Sequence, residues 1–278
     1  MPEKVVPGPV CDDRSIREAV CIHTKKIFDS CRDKDCVEDL RVYPTRCSQE
    51  VIDRAQSIKA GTAELLYAYI DVEPVTFNRG FFTVDVRYFY RITADAFVGA
   101  ARPIQVCGLA VFSKRVVLFG SESGSKSFTS DGDECQVQCV PQSNLPTAVV
   151  EAVDPLILSL KLVDVCECRP CDCGCLDIPP AVAACFGDEL VTGGDQHRIQ
   201  PRLFITLGQF SIIRLERDTQ LLIPVYDYCV PTKDCSCGDD NCQEDPCDMF
   251  RCVQFPMDEF FPPNTITTTS SASGCCQR

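Results

Sequence analysis

The sequence predicts a mainly β protein, with antiparallel, sandwich-like sheets, one or two short helices and cysteine-rich loops. Three observations carry this expectation. Stretches such as FFTVDVRYFYRI at 81–92 alternate apolar and polar residues with a period of two. Turn-forming residues, among them Asn78, Arg79 and Gly80, separate those stretches. The cysteines, 22 in 278 residues, gather in clusters set apart by the β blocks.

Residues 1–10 form a proline-rich lead. A first cluster follows with Cys11, Cys21, Cys31, Cys36 and Cys47, interleaved with charge as in SCRDKDCVEDLR. Ser15 and Glu18 fit a capping box, while VCIHTKKIF reads equally as a strand, so helix and strand both stay open here. A firmer helix is predicted over 48–60. Ser48 caps it, Val51, Ile52, Ala55 and Ile58 form its apolar face, and Gly61 ends it.

From Leu65 onward the period is two. Val84, Val86, Tyr88, Tyr90 and Ile92 fall on one face, opposite Asp85, Arg87 and Arg91. PIQVCGLAVF and KRVVLFGSE continue the β pattern, and alternation returns at 156–163 after Pro155. The central cluster, CECRPCDCGC at 166–175, has almost nothing apolar to bury, so disulfides or metal must hold it. RLFITLGQFSIIRLERDTQLLIPVYDYC then supplies three more strand candidates. In the third cluster Cys237, Cys242, Cys247 and Cys252 recur every five residues. That spacing turns through about 500° on a helix, so they share no helical face and loops are expected. The tail carries Phe255, Phe260 and Phe261 as apolar anchors for a neighbouring copy, then a polar stretch expected to be flexible, then Cys275 and Cys276.

The chain thus divides into an N-terminal cysteine-rich arm with a short helix (1–60) and a first β block (61–165). A central cysteine-rich loop (166–197), a second β block (198–230) and a cysteine-rich C-terminal segment with a flexible tail (231–278) follow. An apolar fraction of 45% is enough for a real core, so the sulfurs do not replace one. The net charge of −13 argues against nucleic acid, and the apolar runs are too short for a membrane helix. The start, MPEKVVPGPV, lacks the apolar core of a secretory signal, whereas the cysteine content points to an oxidising compartment.

Each chemistry the cysteines offer has a plainer counterpart. CECRPCDCGC contains thiols at soft-metal spacing, so zinc on Cys166, Cys168, Cys171, Cys173 and Cys175 is the alternative reading. A zinc ribbon would show two separated CxxC pairs, and the only histidines, His23 and His197, stand at no ligand spacing. Cys168 and Cys171 have thioredoxin-like spacing but lie between β blocks, outside the strand-to-helix setting such a pair needs. A Cys–His nucleophile would need His23 or His197 beside a cysteine, and an ordinary surface or strand histidine is the plainer reading; Gly193-Gly194 is a turn without a phosphate-loop motif. No catalytic residue and no cofactor is expected. Structural crosslinking remains. Intramolecular disulfides are expected among Cys31, Cys36, Cys135, Cys139, Cys166, Cys168, Cys171, Cys173, Cys175, Cys185, Cys235, Cys237, Cys242, Cys247 and Cys252. Adjacent cysteines on a flexible tail are poor internal staples, so Cys275 and Cys276, with Cys11 and Cys21 next, are the candidates for bonds between copies.

VCIHTKKIFDSCRDKDCVEDLRVY, VEPVTFNRGFFTVDVRYFYRI and the run into VYDYCVPTKDC resemble the cysteine-rich exosporium proteins of clostridial spores (the CsxA type). The resemblance covers most of 11–252. It implies self-assembly into ordered, disulfide-hardened arrays at a spore surface, exosporium or outer coat. The partners it implies are further copies of the chain and other spore-coat proteins, with no nucleic acid and no membrane insertion. It also accounts for the compartment: such proteins are made in the mother-cell cytoplasm without a signal peptide and meet oxidant when that cell lyses.

Overall fold

A computed structural model of the chain describes residues 22–100, 102–122, 145–166, 176–193, 199–221, 246–251 and 253–260. In chain order its elements are β1 (Ile22–Pro44), α1 (Arg46–Ile52), β2 (Ser57–Pro74), β3 (Phe81–Phe97), β4 (Ile104–Phe119), β5 (Thr147–Ala152), β6 (Leu156–Cys166), α2 (Pro180–Ala184), β7 (Ile199–Leu221), α3 (Pro246–Arg251) and α4 (Met257–Phe260). The mainly antiparallel β architecture expected from the alternation is the one observed, and its facing layers are opposite walls of one rolled sheet.

The sheet runs β2-β3-β4-β1-β7-β5, with β6 also on β7, and every pairing is antiparallel. Alternation in β3 does what the sequence says. Val84, Val86, Tyr88, Tyr90 and Ile92 are buried, while Asp85, Arg87 and Arg91 on the other face are half-buried. The turn at 75–80 joins β2 to β3 through Asn78 and a left-handed Gly80 (φ 79°). β5 and β6 are two lengths of one broken strand along β7, pairing with 211–216 and with 199–208. Pro155, which has no N–H to donate, lies in the break, and Gln209 Nε2 donates to Val153 O there at 2.8 Å.

The two edges of this sheet come back together. Ala63, Leu65, Ala68, Ile70 and Val72 of β2 pack on the same core as Ala148 and Val150 of β5 and Ile157 and Leu160 of β6. The Leu65 N–H donates to Asp154 Oδ1 at 2.8 Å across the seam. The result is nearly a barrel, closed by side chains where the backbone ladder stops. Helix α1 plugs one end, with Ile52 against Ala94, Ala96 and Val106.

Three expectations change at the level of single elements. The helix predicted over 48–60 is shorter and starts earlier. It runs Arg46–Ile52 with Thr45, not Ser48, accepting the capping N–H at 3.3 Å. From Ser57 the chain is already paired with Phe97 of β3, so Ile58 serves the core from a strand. A free ladder edge satisfies every second N–H and C=O, which outweighs the modest helix propensity of those residues. The open choice after Cys21 resolves as strand: residues 22–44 of the stretch assigned to an N-terminal arm form β1, which lies inside the sheet between β4 and β7. The three strand candidates after 199 are one strand of 23 residues over the described range, and PIQVCGLAVF runs into KRVVLF as one strand of 16.

Gly108 marks the point where β1 crosses onto β4. A Cβ there would stand 2.8 Å from Tyr43 O and 2.9 Å from Pro44 Cα, both backbone atoms that cannot rotate aside. Gly108→Ala is expected to lower the unfolding free energy by about 1–3 kcal/mol, measured by denaturant titration.

Candidate functional site

β1 and β4 share only the rungs Val42–Ala110, Tyr43–Leu109 and Pro44–Gly108 before they diverge. Side chains bridge the opening. Lys114 lies on the inward face of β4 with Ala110, Phe112, Val116 and Leu118, and its ammonium group meets the carboxylates of Asp33 and Asp35 on β1. Lys114 Nζ contacts Asp33 Oδ2 and lies 2.7 Å from Asp35 Oδ2, with side-chain exposures of 8%, 4% and 18% for Lys114, Asp33 and Asp35. Asp33 Oδ1 accepts the Lys34 N–H at 2.7 Å, which fixes the carboxyl plane. Burial pushes Asp35 up to about 7 and Lys114 down to about 7. Tyr88 and Tyr90 face the same interior, and burial raises both hydroxyls above their usual range. The Tyr90 hydroxyl and Gln209 Oε1 are buried with no hydrogen-bond partner among the described residues.

The described sulfurs divide into bonded and free. Cys36 of β1 is joined to Cys247 of α3, with Cα atoms 5.6 Å apart. Cys31 is also disulfide-bonded, and is buried in the main core. The Cys36–Cys247 bond fastens the segment 246–260 to the outer face of the β1–β7 pair. There Phe250 and Phe255 pack on Phe210 at 4.7 and 5.4 Å between ring centroids, and Phe260 stacks on Phe255. Lys34 adds to the dock by donating to the carbonyls of Arg251 and Val253 while its ammonium lies over the Phe250 ring. Phe255 and Phe260, expected as anchors for a neighbour, are thus used within the chain, because Phe210 leaves an apolar outer face that must be covered. Phe261 lies outside the described residues.

Cys47, Cys107 and Cys185 are free thiols. Cys107 is half-buried beside Thr45 and Ser48 under the plug helix. Cys185 is exposed just after α2, and its thiol donates to Ala181 O at 3.2 Å. Cys47 is exposed on α1, where its N–H donates to Asp188 Oδ2 at 3.0 Å. The Asp188 carboxylate hydrogen-bonds the thiol and repels its anion, so the Cys47 pKa is raised. Of the cysteines in the central cysteine-rich loop (166–197) only Cys166, the last residue of β6, and Cys185 are described. Cys11, Cys21, Cys135, Cys139, Cys168, Cys171, Cys173, Cys175, Cys235, Cys237, Cys242, Cys252, Cys275 and Cys276 lie outside the described residues. Among the described residues no three His, Cys, Asp or Glu side chains converge as metal ligands, and no helix is long and apolar enough to cross a membrane.

Sequence reasoning missed the Lys114–Asp33–Asp35 cluster. Its signal was present: Asp33 and Asp35 stand two apart, so once 22–44 is a strand both carboxylates fall on one face and require a cation.

These features define a class: a rolled antiparallel β protein whose outer layer is stapled by disulfide and which keeps free thiols at its surface. Comparison with known proteins adds a relative. The chain is 25% identical over 249 residues to Exosporium protein A of Clostridium sporogenes (strain ATCC 15579), a match covering 86% of this chain and 72% of that protein. The resemblance to clostridial exosporium proteins read from three segments is therefore present along most of the chain. No family model matches the chain, and no solved structure matches it.

Two outcomes are expected. Cys247→Ser releases a link that spans 211 residues of sequence, and should lower stability by about 2–5 kcal/mol while exposing the 246–260 segment to limited proteolysis. Asp188→Asn should speed alkylation of Cys47 near pH 8 several-fold, read by peptide mass mapping, because the thiolate is the reactive form.

Proposed function

We propose that this chain is a self-assembling structural protein of a bacterial spore surface layer, exosporium or coat, in which disulfides harden ordered arrays of copies. The observation that carries this reading is the similarity to Exosporium protein A across 86% of the chain. The architecture supports it. A rolled sheet with a plugged end and a stapled outer layer is a rigid unit, and rigid units with fixed surfaces are what a lattice requires. On this reading the chain is a building block and not an enzyme. Its partners are further copies of itself and other spore-coat proteins, and it engages neither nucleic acid nor a membrane.

Bonds between copies do what internal staples cannot. An internal loop closure restricts the unfolded state, whereas a bond between copies makes dissociation wait for reduction. Cys275 and Cys276 are the first candidates for such links, with Cys11 and Cys21 next. The exposed Cys47 and Cys185 add thiols on the described surface. Made in the mother cell, the thiols would oxidise when lysis exposes the layer.

The purified, oxidised protein is expected to form ordered arrays by electron microscopy and a ladder of multimers on denaturing gels without reductant, collapsing to one band with it. Replacing Cys275 and Cys276 by Ser should thin the ladder. A protein that ran only as monomer without reductant and formed no array would overturn the assignment.

A further inference from the structure

Lys114 occupies a setting that costs a lysine much of its hydration. Its ammonium is nearly fully buried inside the rolled sheet, against the buried carboxylate of Asp33 and the partly buried one of Asp35. Three formal charges in that space leave one negative charge uncompensated among the three groups. The two strands involved have no backbone rungs where these side chains meet, because their ladder stops at Val42–Ala110.

We propose that Lys114 and Asp33 become covalently joined, by an intramolecular isopeptide bond from Lys114 Nζ to Asp33 Cγ that locks β4 to β1, with Asp35 as the proton carrier. The geometry supplies each part. Lys114 Nζ is already in contact with the Asp33 carboxyl group. The Lys34 N–H holds Asp33 Oδ1 at 2.7 Å, so a donor is in place where negative charge would develop as the carbonyl is attacked. Asp35 Oδ2 is 2.7 Å from the same Nζ, within reach of the proton the nitrogen must lose.

The step balances without an oxidant or a co-reactant. Proton transfer within the cluster gives a neutral amine on Lys114 and a neutral acid on Asp33. The Nζ lone pair forms the N–Cγ bond, and the Cγ–Oδ2 bond breaks. One amine proton passes through Asp35 to the departing oxygen, which leaves as water, and Asp35 returns to its starting state. Burial favours the neutral reactants, and it brings Asp35 and Lys114 both to about 7. Condensation is unfavourable in bulk water. Here the reacting groups are held together, water is scarce, and the product replaces two buried charges with a neutral amide. Tyr88 stacks on Tyr90 and on Phe112 on the inward faces of β3 and β4, and both tyrosine hydroxyls feel the charge of Asp35.

The test is mass spectrometry of the full chain, reduced and denatured. The expected result is a protein lighter by one water than its sequence, with a branched tryptic peptide that carries both the Asp33 and the Lys114 segments. Lys114→Met and Asp33→Ala should each return the chain to its full mass. Asp35→Asn keeps both bonding partners, so full mass in a variant with wild-type far-UV circular dichroism assigns the proton step to Asp35. If that variant is joined as well, the role of Asp35 is wrong and the bond stands. If a variant fails to fold, the wild-type peptide map decides alone. Folded wild-type protein at full mass, with trypsin cleaving after an unmodified Lys114, overturns the proposal. The measurement is made on the single chain, so it does not depend on assembly.

Discussion

The structure depends on the burial of both faces of β7. Its inward residues Leu203, Ile205, Leu207, Ile213 and Leu215 build the core, and outward Phe210 and Ile212 are buried as well. A strand apolar on both sides must sit in the middle of a sheet with a layer on each side. β1 and the β5–β6 pair supply its edges, the rolled interior covers one face, and 246–260 covers the other. The close approach of that cover is built into the sequence: Gly208 leaves room where a Cβ would come within 2.7 Å of the Phe250 ring. Since the covering segment is short, its own helices of six and four residues cannot hold it in place, and the Cys36–Cys247 bond and Lys34 do so.

β1 is the counterpart of β7. It is rich in charge, yet it runs through the middle of the sheet, because β7 offers it a long ladder from Ile22–Leu221 to Val42–Leu203. Its polar side chains are then placed by the pleat. Outward ones such as Lys34 clamp the covering segment. Inward ones, Asp33 and Asp35, meet Lys114 across the gap where the β1–β4 ladder ends. Charge inside a β core is costly unless paired, so the pairing of β1 with β4 at a distance is enforced by electrostatics where hydrogen-bonded rungs are missing.

The sulfurs follow the same division between inside and outside. Cys31 and Cys36 lie on opposite faces of β1 and both are oxidised, while Cys47 and Cys185 are reduced and exposed near the 176–193 segment. That segment packs Val182 against Phe89 and Leu109, and returns beside Pro44 and Arg46 through backbone hydrogen bonds. Cys185 on this segment and Cys47 on the neighbouring α1 are therefore presented from an ordered layer, and Asp188 favours the protonated form of Cys47. A surface that holds thiols in reserve suits the proposed role, since bonds between copies would form only after the units have met.

Alternation by itself determined strands at 81–92 and 156–163, the face the first one buries and the antiparallel class, because period two follows from the pleat without knowledge of partners. It also located the turn at Asn78–Gly80, whose conformation is local. The tertiary structure alone decided the rest. β1 became a strand because β7 lay beside it, and residues 57–60 left the helix because β3 had an open edge. Phe255, with Phe260 stacked on it, docked on the outward Phe210 of its own chain because a two-faced β7 needed cover. The Lys114–Asp33–Asp35 cluster depends on residues about 80 apart in sequence meeting where one ladder stops. No local pattern encodes such a meeting, since it is set by where the sheet rolls and which strands part.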